Sequence, residues 1–381
     1  MNNNNYSAGS APLRAPREIV VTSNRSVIIV GAGIVGCAIA RELAVRGVAV
    51  TVFDDRPVAG GATRASAGML APYVEAHERG PLLELAVRSL DLYDDWIAAV
   101  GRESDTDVEY RRVGTLEVAL DPIHAAALRR QGSDQVTAEW LERAEARAAY
   151  PQLGWIAGAL LTRTHGYAAA SQLTTSLARA AERQGTTFRR AAVQRITAGG
   201  SSVRVTTAEG DCEADTVVIA AGAWGSAIEG VRMPPLRPVR GQLLHLGWRG
   251  DPPSTIIWGP RCYIVPRADG TLLVGATVEE AGFDERTTAA GVRELLSAAC
   301  ELLPGAKDAT FLEARAGLRP ATPDELPVLG SDPATPNVIH ASGHYRNGVL
   351  LAPVTAKVIA DLVVEGKRDQ CLDAFAPNRF F

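Results

Sequence analysis

The stretch "SVIIVGAGIVGCAIARELAVRGVAVTVFDD", residues 26–55, restricts the fold more than any other part of the chain. Val27–Val30 is a short, wholly apolar run, the pattern of a strand buried on both faces of a parallel sheet. Helical spacing follows over Ile34–Arg46, Gly47 supplies a stop, and Val48–Phe53 reads as a second strand, completing one βαβ unit. Between the first strand and the helix stand Gly31, Gly33 and Gly36 as G-x-G-x-x-G. The first glycine permits a tight turn, the second lets a pyrophosphate approach the backbone, and the third lets helix and strand pack closely. The helix N-terminus, at Ile34 and Val35, faces the phosphates. Asp54, followed by Asp55, closes the second strand, where a carboxylate accepts hydrogen bonds from a ribose.

An isolated G-x-G-x-x-G is no more than a glycine-rich turn. Strand, helix, second strand and acid in order make it a dinucleotide site, but the motif does not separate NAD from FAD. Two later stretches favour FAD. "GGATRASAGMLAP", Gly60–Pro72, is a run of small residues with little period, including Ala62, Thr63, Ala67, Gly68 and Met69. "DTVVIAAGAWGS" is a buried strand, Thr216–Ala220, ending in small residues around Gly222. In both, the backbone is free to pass close to a large flat ligand.

With 381 residues the chain exceeds one ordinary hydrophobic core, so two domains are expected. A formal net charge of −4 argues against a nucleic-acid partner. The five cysteines are scattered with no CxxC pair, and the six histidines show no ligand spacing, so neither disulfides nor a metal are expected. Isolated thiols suit a reducing, cytoplasmic setting. Residues 1–25 read as a mobile tail without the apolar core of a signal peptide, and no apolar run reaches the ~20 residues that cross a bilayer. Helical patterns are expected over Pro81–Val100, ended by Gly101, over "TAEWLERAEARAAY", and over "SQLTTSLARAAERQG". Alternating strands are expected in "GTLEVAL" and from Leu236 to Gly275, with a hairpin turn at "ADG". The fold class is α/β, an FAD-binding Rossmann-like domain (26–104, 166–236 and 314–381) interleaved with a substrate domain on a mixed, mostly antiparallel sheet (105–165 and 237–313). Near the end, "GHYRNGVLLAPVTA" sets an arginine in a turn just before an apolar helix, an arrangement that calls for an anion.

These words in this order, together with "CYIVPRADG", "VGATVE" and "AGLRPATPDELPVLG", resemble the D-amino-acid-oxidase superfamily of flavoproteins, most closely its glycine oxidases, which serve thiamine biosynthesis. The resemblance implies FAD, amino-acid or amine oxidation with O2 reduced to hydrogen peroxide, and a homo-oligomer, a tetramer by family precedent. It implies a site in which Arg319 of G-L-R-P and Tyr263 of C-Y-I-V-P-R hold the substrate carboxylate and Arg346 lies beside it. Val193 and the loop His344, Tyr345, Arg346, Asn347, Gly348, Val349 and Leu350 would meet the flavin. Each has a plainer reading: a salt bridge from Arg319 to Asp324 or Glu325, a solvated Arg346, a packed Tyr263. Related enzymes that hold flavin covalently use a cysteine near "GLRPATPDE"; none stands between Cys300 and Cys371, so the FAD is expected to be non-covalent.

Two departures bear on the substrate. Val278 stands where a known member has methionine, leaving more room, and Arg261 replaces a histidine, either adding positive charge near the site or standing at the surface. A roomier pocket suits an N-substituted glycine or a bulkier N-carboxymethyl amino acid. A quinone-linked D-amino-acid dehydrogenase is a rival reading, for which no basic amphipathic membrane helix is seen. A non-catalytic flavin binder is another, but it has no use for a carboxylate clamp.

Overall fold

The computed structural model describes residues 25–75, 79–133 and 137–381, and the expected N-terminal appendage lies outside this range apart from Arg25. Ser26–Val30 pairs in parallel with Ala49–Asp54 on one side and Thr216–Ile219 on the other. Val338–Ser342 and Thr187–Arg190 extend the sheet in parallel, and Val328–Ser331 closes one edge antiparallel. Both faces are covered, which is why residues 27–30 carry no polar alternation. Val27 and Ile29 pack under helices Ile34–Val45, Pro81–Ser104, Ala170–Arg183 and Gly348–Glu365. Ile28 and Val30 pack under a meander of Val193–Gly199, Ser202–Thr207 and Gly210–Ala214.

The helix Gly348–Glu365 carries Pro353 in its interior. Proline has no N–H for the Val349 carbonyl four residues earlier. The Tyr93 hydroxyl donates to that carbonyl instead, and the Ser89 hydroxyl donates to the Leu350 carbonyl at 2.6 Å. The long helix Pro81–Ser104 thus holds the last helix in place and, with it, the loop at its N-terminus. That long helix does not stop at Gly101 as expected; it continues to Ser104, and Asp105 takes the left-handed conformation at φ 56°. Glycine inside a helix costs only about 1 kcal/mol, less than packing of the apolar face returns.

The second sheet has eight strands in the order Thr310–Ala321, Arg237–Gly247, Thr271–Gly275, Tyr263–Pro266, Ile256–Trp258, Thr115–Ala119, Gly158–Thr162 and Ala138–Glu142. All pairings are antiparallel except Ile256–Trp258 with Thr115–Ala119. One face packs on helix Ala289–Leu302 through Leu116, Ile257, Ile264, Val274 and Leu244. Two expectations are corrected here. The first half of "TAEWLERAEARAAY" is the edge strand Ala138–Glu142, and helix begins only at Arg143, where Glu142 and Glu145 form a capping box. The expected boundary at 314 falls inside Thr310–Ala321, which stays with the eight-stranded sheet throughout because it pairs with Arg237–Gly247 from Thr310 to Ala321.

Candidate active site

A cavity of about 680 Å³ is lined from both sheets. At one end stand Gly31, Gly33, Ile34, Val35, Asp54 and Asp55. Gly31 lies at φ 112°, in the region that favours glycine, and a Cβ there would collide with the Ala220 carbonyl. A Cβ on Gly36 would overlap the Gly31 carbonyl, so helix and turn approach only because this residue is glycine. A Cβ on Gly33 would meet nothing nearer than Thr63 Oγ1 at 3.6 Å. The protein itself does not need glycine there; the bare backbone faces open cavity. Asp54 accepts hydrogen bonds from the backbone N–H groups of Ala32 at 2.7 Å and Arg56 at 2.8 Å. Burial nevertheless raises its pKa above the usual carboxylate value. Each of its oxygens keeps a second lone pair for a hydroxyl donor. Arg56 lies over Trp224 at 3.9 Å and pairs with Glu285, walling this end.

Further along, the cavity is walled by Ala62, Thr63, Ala67, Gly68 and Met69, by Val193 and Gly222, and by His344, Tyr345, Arg346, Gly348 and Val349. The helix that opens at Gly348 has no side-chain cap on Asn347 and no acid in its first turn. Its positive end is therefore available to a negative group. Tyr345 holds a left-handed φ of 47°, and its N–H donates to the Pro320 carbonyl at 3.0 Å, tying the loop to the strand that carries Arg319. These surfaces fit FAD. Gly31, Gly33 and the helix start would hold the pyrophosphate, Asp54 the ribose, and the small-residue run with the 343–349 loop the flavin ring.

The other wall is the free face of the eight-stranded sheet. Residues paired across strands share a face. Glu117 pairs with Trp258, Trp258 with Tyr263, and Tyr263 with Gly275. Gly317 and Arg319 lie two residues apart on one strand, opposite Gly241 and Val239. The glycines make room: a Cβ on Gly275 would collide with the Tyr263 ring, and one on Gly241 with the Arg319 guanidinium. Arg319 lies flat across that bare strand and donates to the carbonyls of Thr277 at 3.0 Å and Arg240 at 3.4 Å.

Among the described residues no carboxylate comes within ion-pair distance of Arg319. Asp324 is held by Arg379 at 2.8 Å, and Glu325 stands 3.8 Å from Arg237, so neither neighbouring acid neutralises it. Burial, and after it the like charge of Arg346, pulls its pKa down from the usual arginine value. The Tyr263 ring stacks on Trp258 at 5.5 Å, and its hydroxyl has no hydrogen-bond partner among the described residues. Burial holds this phenol above its ordinary pKa, so it stays a donor. Arg346 is not a bare turn residue: it pairs with Glu75 at 3.0 Å and lies over Trp258 at 5.7 Å.

Most residues singled out in the sequence line this one cavity. The exceptions are Gly36, which acts behind Gly31, and Asn347 and Leu350, which are buried in the helix start. Val278 lies at the rim, 60% exposed. Arg261 also lines the rim and pairs with Glu301 at 3.3 Å, the surface arginine of the two readings. His344 is buried, bonded to Thr355 at 3.1 Å, and pushed down to about 4, so it is neutral near pH 7. The sequence reading missed Glu75, Glu117, His124 and Trp258, which also line the cavity. Glu117 had a signal, as the one charge in the apolar strand "TLEVA".

The family model described as FAD dependent oxidoreductase (DAO) matches residues 26–362. The chain is 34% identical over 364 residues to the bifunctional protein ThiO/ThiG of Synechocystis; 93% of this chain is covered but only 54% of that protein, so it spans about half of that relative. The crystal structure of glycine oxidase from Geobacillus kaustophilus superposes with a TM-score of 0.89 at 33% identity, covering 94% of this chain and all of that one. Iminodiacetate oxidase from Chelativorans sp. BNC1 superposes with a TM-score of 0.85 at 29% identity, covering 92% and 98%. Cavity, glycine turn and matches agree, and the chain belongs to the DAO family of FAD-dependent oxidoreductases, of the glycine oxidase type.

Proposed function

We propose that the protein oxidises glycine or an N-substituted glycine at its α-carbon, with O2 as electron acceptor. The observation that carries this reading is Arg319: a half-buried guanidinium, open to the cavity, with no carboxylate within ion-pair distance among the described residues. A buried charge without a partner is costly, and a planar fork of N–H donors matches a carboxylate. The substrate carboxylate is that partner, and the Tyr263 hydroxyl donates to it as well. The carbonyls of Thr277 and Arg240 hold the guanidinium plane, so the carboxylate is oriented and not merely attracted. Arg346, tied to Glu75 and Trp258, narrows the entrance and keeps water from the carboxylate.

FAD, held non-covalently along this cavity, would supply the redox chemistry, the removal of a hydride equivalent from an α-carbon that Arg319 and Tyr263 hold in place. In balance, the amine and O2 give an imine and hydrogen peroxide, and water splits the imine to glyoxylate and the free amine. No side chain has to act as a base if the amine binds uncharged, and the neutral His344, bonded to Thr355, is not placed to be one. The buried Cys262 thiol, pushed up to about 12, is no candidate for a flavin link.

Similarity to iminodiacetate oxidase, and the rim position of Val278, support an N-substituted glycine as strongly as glycine itself. A place in thiamine biosynthesis goes with the glycine reading. The test is anaerobic bleaching of the flavin band by glycine, sarcosine, D-alanine, D-proline and a bulky N-carboxymethyl amine, then peroxide assay on admitting air. Bleaching by a glycine derivative with stoichiometric peroxide supports the reading. Bleaching without peroxide moves the protein to a dehydrogenase, and no bleaching by any of them removes the reading.

A further inference from the structure

Past Tyr263 the cavity continues along the sheet face to Glu117 and to His124 in the first turn of helix Pro122–Ser133. Glu117, Trp258 and Tyr263 stand in one row on three neighbouring strands. Glu117 is therefore two strand spacings from Tyr263, about 10 Å. The acids around it are matched: Glu75 with Arg346, Glu301 with Arg261, Glu139 with Arg163, and Glu142 with Arg129. The Glu117 carboxylate, mostly buried, has neither an ion pair nor a hydrogen bond among the described residues, and burial alone pushes it up to about 7. Nothing in the carboxylate clamp uses it. The cavity thus holds an unneutralised cation at one end, Arg319, and an unneutralised anion at the other, with room between them.

We infer that Glu117 is a specificity residue for the far end of the substrate, and that the substrate class is a glycine whose nitrogen carries a chain ending in a cationic group, an ammonium or a guanidinium. Such a molecule matches both unpaired charges at once, and His124 lies at the same end of the cavity. With four carbons between the two nitrogens, such a molecule, extended, covers roughly two strand spacings from its carboxylate carbon to its terminal nitrogen. Oxidation then follows the balance given above: the α-carbon loses a hydride and the nitrogen a proton, O2 becomes hydrogen peroxide, and hydrolysis releases glyoxylate and the primary amine that carries the cationic group. This inference rests on the carboxylate-clamp reading of Arg319.

The experiment is stopped-flow flavin reduction by N-(4-aminobutyl)glycine, N-pentylglycine, N-(4-hydroxybutyl)glycine and glycine, in the wild type, Glu117→Gln and Glu117→Lys, with flavin-to-protein ratio as the check on folding. The wild type is expected to prefer the ammonium compound over the pentyl one by roughly 10- to 100-fold in reduction kcat/KM. That ratio falls toward unity in Glu117→Gln and below it in Glu117→Lys. Equal rates for the ammonium, hydroxyl and pentyl compounds in the wild type overturn the inference, whatever the variants do, and leave the clamp standing. A preference that survives Glu117→Gln unchanged also overturns it. Failure of glycine and every N-substituted glycine to reduce the flavin removes the clamp reading, and this inference with it.

Discussion

At the Gly31–Gly36 end of the cavity the chain presents backbone, whereas on the free face of the eight-stranded sheet it presents long charged side chains. At the first end Arg56 and Trp224 stack on each other as a wall. At the second, Arg319, Arg346, Tyr263, Trp258, Glu75 and Glu117 crowd round a cavity that Gly241 and Gly275 keep open. The contrast shows two ways of binding charge. A diphosphate is met by N–H groups and a helix end, which any sequence supplies once the backbone can come close enough. A small carboxylate needs a directed fork, and that fork has to be carried to its place by strand register.

The comparison breaks first, and with the largest effect, at Gly36. Replacing it with valine sets a side chain against the Gly31 carbonyl, so Gly36→Val is expected to lose bound flavin and to melt well below the wild type; a normal flavin-to-protein ratio would refute the steric account. At the other end Arg319→Ala is expected to keep its flavin and lose about 3–5 kcal/mol of transition-state binding, roughly 10²–10⁴-fold in kcat/KM. Arg319→Lys should recover only part of this, because an ammonium is not a fork. Wild-type turnover in Arg319→Ala would move the carboxylate elsewhere.

Smaller effects sharpen the boundary between the two ends. Tyr93→Phe takes the donor from the Val349 carbonyl and should lower stability by about 1–3 kcal/mol, measured by urea unfolding. Tyr263→Phe removes one hydroxyl from the clamp, and a rise in KM worth about 1 kcal/mol is expected with the flavin spectrum unchanged. Of similar size is the pH dependence of Glu117. Its folded pKa is raised, so ionisation is disfavoured in the folded state, and wild-type stability falls as pH climbs from the ordinary carboxyl range through about 7. Glu117→Gln lacks this loss. Without substrate it should gain about 1–2 kcal/mol on the wild type between pH 4 and pH 8, after allowance for solvent in the open cavity. A gap that does not change with pH would mean that Glu117 is paired in solution.

The nucleotide end was legible along the chain because its constraints are local. Gly31, Gly33 and Gly36 lie within one turn and one helix start, and the acid follows at the end of the next strand. In the loop before Gly348 the sequence called for an anion beside Arg346, and the fold supplies one from the chain itself, Glu75 at 3.0 Å. The carboxylate clamp was legible only through its resemblance to known oxidases, since no spacing relates Tyr263 to Arg319. Glu75, Glu117, His124 and Trp258 escaped notice because each sits in an ordinary local context.

What the sequence determined by itself was the βαβ start and the glycine turn, which follow from sterics between near neighbours, while FAD was read from two small-residue runs further along and from the family resemblance. Tertiary structure alone decided that Asp324 and Glu325 turn away to Arg379 and Arg237, leaving Arg319 uncompensated. It alone decided that Glu117 faces the same cavity, through the parallel pairing of Thr115–Ala119 with Ile256–Trp258. Those strands are more than a hundred residues apart, and the face a side chain takes depends on a register that long-range pairing sets.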